Sequence, residues 1–191
     1  MEMVDDRRDV TFRLDLAPVK ERLGDLRPLL TEIGVTLAAK SQESFKKQGY
    51  GRSKWPGRMV PNVPGIVGDL NRNMSPPKRR FQPRPALVDT GKLRQSISFQ
   101  VGAADVVIGT NLDYASQQQM GGLVKVRLLK SSRKALADLL RKRPDLRSQL
   151  GWLFSKPQFE VKIRPRQFIG YDADDQKAVK DLVEKHLEGK L

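Results

Sequence analysis

The sequence predicts an α+β fold, an antiparallel β-sheet packed with a long N-terminal helix and a C-terminal helix, plus a helical insertion. Three observations carry that expectation. Apolar residues recur at steps of four and three from Val19 to Leu37, short alternating segments cluster in the middle of the chain, and a second helical period closes it. At 191 residues the chain has room for one ordinary domain, and we read a single domain over residues 1–191 with a Pro-rich basic arm and a helical insertion.

Val10, Phe12 and Leu14 alternate and predict a short strand. Pro18 suits the first turn of a helix, and Val19, Leu23, Leu26, Leu30, Ile33 and Leu37 then form one stripe along a helix running to about Gln48 and stopped by Gly49. Such a stripe suits packing on the molecule's own sheet or in a subunit interface. From about 56 to 86 the composition changes. Pro56, Pro61, Pro64, Pro76, Pro77, Pro83 and Pro85 are interleaved with Lys78, Arg79, Arg80 and Arg84, so regular structure is not expected. Roughly thirty residues is long for a loop inside a compact domain, which predicts an arm that is mobile or ordered by a neighbour.

Asp89 and Thr90 offer N-cap side chains before Leu93, and Ser96 to Val101 alternates as a strand. Gly102 to Asp105 makes a turn into a return strand, Val106 to Gly109. Tyr114 to Met120 reads as a brief helix stopped by Gly121-Gly122, and Leu123 to Leu129 as another strand with Val124 and Val126 on one face. The insertion, about 130–157, is basic and helical with a break at Pro144, its leucines at helical spacing on both sides. Phe159, Val161 and Ile163 give a last strand. Asp174 and Asp175 then open a helix whose Ala178, Val179, Leu182, Val183 and His186 share a face.

Composition narrows the function classes. Cysteine is absent, which removes disulfides, thiolate metal sites and cysteine nucleophiles. The one histidine, His186, continues an apolar stripe and has no visible partner for acid–base or metal chemistry. No glycine-rich phosphate loop, nucleophile elbow or histidine pair is present. We therefore expect no catalytic residue, no metal and no cofactor: a protein that binds rather than catalyses. No apolar run suits a membrane span. Lys and Arg total 36 against 22 acidic residues, a net charge of +14, which favours polyanions or acidic surfaces. Aromatic residues are only 6% and no base-reading motif accompanies the basic clusters, so contact with DNA would be confined to phosphates.

Several segments in order resemble the phage virion morphogenesis family, which includes tail-completion proteins. Trp55-Pro56 after the long helix is similar to the family's tryptophan–proline element. The run from Leu87 to Ser98 contains Thr90, Gly91, Leu93, Ser96 and Ile97 and resembles its strand entry, and V-V-I-G-T-N, with Gly109, resembles its return strand. The run Y-A-S-Q-Q-Q-M-G-G, with Tyr114, Ala115, Gln119 and Gly121, resembles its turn, although Gln118 stands where the family often has histidine. I-R-P-R-Q-F-I-G, with Arg166, Phe168 and Gly170, resembles the segment before its final helix, altered at Arg164, Pro165 and Gln167. The resemblance implies a structural protein that completes the head–tail joint as a neck, tail-completion or tail-terminator ring. It also implies a homo-oligomer, a hexameric ring, in contact with phage connector and tail proteins, assembled in the host cytoplasm and carried in the virion. Lys78, Arg79, Arg80 and Arg84 are the candidate contacts to a partner or to genomic double-stranded DNA. The alternative is a nucleic-acid-binding accessory protein of genome packaging.

Overall fold

A computed structural model describes residues 5–6, 9–17 and 25–189. In chain order the elements are β1 (Asp5–Asp6), β2 (Asp9–Asp15), α1 (Arg27–Lys47), β3 (Gly49–Tyr50), β4 (Ser53–Lys54), α2 (Val63–Asn71), α3 (Lys92–Gln95), β5 (Ser98–Val101), β6 (Asp105–Thr110), α4 (Ala115–Met120), β7 (Gly122–Arg127), α5 (Arg133–Lys142), α6 (Arg147–Leu150), β8 (Gln158–Ile163) and α7 (Ala173–Leu187). Among the described residues all strand pairs are antiparallel, in keeping with the α+β expectation. Contacts divide the chain into two compact units. The first comprises residues 1–56, 86–121 and 164–191, and the second 57–85 and 122–163.

The first unit is built on a four-stranded sheet in the order β1-β2-β6-β5. Alternation decides its faces. Val10 and Phe12 on β2 and Val106 and Ile108 on β6 are buried, and α1 lays Leu29, Leu30, Ile33 and Leu37 among them. Phe99 of β5 rests directly on Gly34 of α1, where any side chain would displace its ring. α7 adds Val179, with Leu182 and Val183 packed at the margin of the same core. Pro28 occupies the first turn of α1, and Asp25 and Leu26 are not helical, so the described helix starts later than the sequence suggests. The stripe positions Val19 and Leu23 lie outside the described residues. The helix ends at Lys47, and the left-handed residue that closes it is Gln48, φ 54°, rather than a glycine. The Gln48 side chain holds the position by bonding both the N–H and the carbonyl of Ala86.

The second unit corrects the expectation of an arm without regular structure. α2 lies within the Pro-rich segment, started by Asn62, whose side chain accepts from the Gly65 N–H at 3.2 Å, and by Pro64 in the first turn. Ile66, Val67 and Leu70 of α2 are buried with Val126, Leu136, Leu140, Leu146, Leu150, Leu153 and Val161. Proline clustering marked the connections correctly but hid the nine-residue helix between them. The strands β7 and β8 do not extend the main sheet. They pair with each other as a separate ribbon, Val124 opposite Val161 and Val126 opposite Phe159, under α5 and the turns that follow Pro144.

Candidate assembly site

The family-motif residues lie in the first unit, where several of them fasten the segment 164–172 in place. Trp55 donates its indole N–H to the Gln167 carbonyl at 2.6 Å and meets Phe45 edge-on, and Phe45 in turn packs on the fully buried Phe168. Arg166 donates its backbone N–H to the Gln118 carbonyl at 2.8 Å and its Nε to the Pro56 carbonyl at 3.1 Å. Gln119, 4% exposed, does most of the fastening. Its Nε2 donates to the Ile169 carbonyl at 2.6 Å, and its Oε1 accepts from the N–H groups of Phe168 and Ile169 at 2.9 and 3.3 Å. A buried segment without secondary structure must find partners for its main-chain groups, and Gln119 presents an amide that imitates a neighbouring strand.

A charged cluster secures the next turn of chain. Asp172 caps α7 by accepting from the Asp175 N–H at 3.0 Å, and Asp175 accepts from the Asp172 N–H at 2.8 Å. Lys40 of α1 reaches both carboxylates, at 2.6 and 2.8 Å. The Tyr50 hydroxyl lies 2.7 Å from the Gly170 carbonyl and 3.0 Å from Asp175 Oδ2. Burial opposes the charge on Asp172, but the Lys40 hydrogen bond, the Asp175 N–H and the Lys40 charge together outweigh it and hold the carboxyl below its ordinary pKa. Burial likewise opposes the charge on Lys40, and the two aspartates raise its pKa regardless. Tyr50 is pushed up by burial first and by the Asp175 charge second, so it stays a neutral donor. The sequence reading recognised the acidic start of this helix through Asp174 and Asp175 but missed Asp172 as the cap. The three-residue spacing of Asp172 and Asp175 was the available signal.

The hairpin residues are placed by the same logic of fit. Gly91, φ 75°, occupies the N-cap position expected of a polar side chain, while Thr90 Oγ1 only approaches the Lys92 N–H at 3.4 Å. Leu93 and Ile97 are buried, Ser96 Oγ lies 2.6 Å from Thr110 Oγ1, and a side chain at Gly109 would strike β2. Ala115 is fully buried, and Gly121 closes α4 with φ 76°. Tyr114 differs from these neighbours. It is 45% exposed at the head of α4, and Met120 at the end of that helix is 54% exposed. A second exposed apolar locus borders β5, the last strand of the sheet, where Val35, Ala38, Ala39 and Phe99 line an open groove of about 360 Å³.

The basic candidates all belong to the second unit, and they do not act alike. Lys78 and Arg84 are exposed, and Arg79 is half-buried. Arg80 is drawn inward, its side chain 14% exposed, with Nε 2.8 Å from the buried Asp69, which Arg72 also contacts. Burial acts to raise the Asp69 pKa, but Arg80 and then Arg72 hold it below the ordinary carboxylate range. Arg80 therefore serves the fold, a role that sequence proximity to Lys78 and Arg79 concealed. Among the described residues no group of His, Cys, Asp or Glu is arranged to hold a metal ion, and no helix is long and apolar enough to cross a membrane.

A model of the phage virion morphogenesis family matches residues 8–188. The chain belongs to that family. Its role therefore lies in assembly of the phage virion, and the motif residues that suggested the family are, on the geometry above, chiefly fasteners of the first unit's core. No curated protein and no solved structure matches the chain.

Proposed function

We propose that this virion morphogenesis protein completes the head–tail joint as a ring of identical copies, in the neck or at the end of the tail, and that it acts by binding and without catalysis. The observation that carries the reading is the uncovered edge of β5 beside the apolar groove. Among the described residues β5 pairs only with β6, and natural proteins seldom leave a strand edge open next to apolar surface without a use for it. The two edges of the sheet differ, β1 and β2 on one side and β5 on the other. Joining one edge to the other of the next copy is a head-to-tail contact, which closes into rings, and a sixfold ring suits a tail axis. Tyr114 and Met120 supply further apolar contact for a neighbouring copy or a connector protein.

The test is to image particles assembled without the protein. Full heads and finished tails lying apart support the joint, whereas absent tails or empty heads would overturn it. Light scattering on the purified protein, alone and with tail tubes, reads the ring. A strict monomer under both conditions argues against it.

A further inference from the structure

The net charge of the chain is not spread over it. Residues 57–85 and 122–163 hold 17 Lys and Arg against 4 Asp and Glu, a net of +13, while the rest of the chain holds 19 against 18. Nearly all of the +14 thus sits on the second unit, although that unit has the fewer residues. Its four carboxylates are already engaged. Asp69 takes Arg72 and Arg80, Asp138 takes Arg141, Asp145 takes Arg143, and Glu160 lies 4.0 Å from Lys125.

Part of the surplus appears on a defined face. The ribbon β7–β8 turns Val124, Val126, Phe159, Val161 and Ile163 toward the core of its unit, so alternation exposes Leu123, Lys125, Arg127, Gln158, Glu160 and Lys162 on the other side. Across the ribbon Arg127 faces Gln158 and Lys162 faces Leu123, and neither cation has an ion-pair partner among the described residues. The chain leaving β7 then carries Lys130, Arg133 and Lys134, also exposed and without carboxylate partners among the described residues.

We propose that this face binds the phosphate backbone of double-stranded DNA without reading sequence, so that the two units divide the work: the first assembles, the second meets the genome. Protein interfaces are depleted in lysine and enriched in aromatics at their centres. The ribbon face shows the reverse, lysines and arginine with no aromatic side chain, which suits a polyanion held by charge. The choice of DNA among polyanions rests on the virion-assembly reading, while the segregation of charge stands without it.

The experiment measures binding of the full chain to a short labelled duplex of random sequence by anisotropy across a range of salt. Each lost phosphate contact lowers the slope of log affinity against log salt by about 0.9, so Lys125→Gln/Arg127→Gln/Lys162→Gln should lower it by about 2 to 3. The same charge removed from the first unit, Lys177→Gln/Lys180→Gln/Lys185→Gln, should change the slope by less than about 1. Lys130→Gln/Arg133→Gln/Lys134→Gln carries the same expectation as the ribbon variant and replaces it if thermal melts show the ribbon variant misfolded. Equal losses from both units, or no duplex binding by the unaltered chain at low salt, would overturn the proposal. Competition by polyglutamate as effective as unlabelled duplex would overturn it in favour of an acidic protein surface. No particle assembly enters the measurement, so its failure is separable from failure of the joint reading.

Discussion

Replacing Gln119 by leucine removes the partners of three buried main-chain groups, the N–H of Phe168, the N–H of Ile169 and the carbonyl of Ile169. Phe168 and Ile169 are 0% and 1% exposed, so water cannot replace the lost amide. Each stranded group costs about 1–3 kcal/mol, and with some relaxation the sum is about 3–5 kcal/mol, a large share of the roughly 5–15 kcal/mol of a typical domain. That predicts a fall in Tm of roughly 10–20 °C for the first unit. The two tryptophans make the assay selective, since Trp55 lies in the first unit and Trp152 in the second. In a Trp152→Phe background the fluorescence melt reports the first unit alone. Gln119→Glu sharpens the test. Its buried carboxylate lacks the donor for Ile169, whereas the protonated acid can donate there and still accept from Phe168. Its folded pKa is therefore raised, and stability should recover as the pH falls through that value. A Gln119→Leu variant no less stable than Gln118→Ala, whose position contributes its main-chain carbonyl to Arg166, would refute the assignment.

Breaking the ion pair of the second unit by Asp69→Asn leaves Arg80 without its buried carboxylate and should cost about 3–5 kcal/mol, read by Trp152 in a Trp55→Phe background; a cost below that of Lys78→Gln would mean the pair is idle. Leu150→Ala, at a fully buried position, should cost about 2–5 kcal/mol and expose residues 63–71 to limited proteolysis, whereas the unaltered chain should resist cleavage there; rapid cleavage without the substitution would restore the mobile arm. Asp69 and Asp172 both have lowered folded pKa values, so the stability they contribute is present above the ordinary aspartate value near 4 and is lost as pH falls through the folded values; acid melts of Asp172→Asn should show a shallower loss over that window, and an unchanged slope would contradict it.

Period and alternation by themselves determined much of this protein. The stripe of Leu26, Leu30, Ile33 and Leu37, the hairpin from Ser98 to Thr110, the leucines around Pro144 and the face of Val179 and Leu182 were all legible, because each depends on residues near one another in sequence. So was the family, since its signature is a set of local fits such as Gly91 and the Tyr114 to Gly121 turn. Pairings between distant segments needed the tertiary structure. Nothing local joins Ile66 to Leu150 or Gln119 to Ile169, and each pair forms only when the chain returns after a long excursion. Basic charge was countable from the sequence, but its division into +13 and +1 was not, because the second unit is assembled from two separated stretches whose common core only folding brings together.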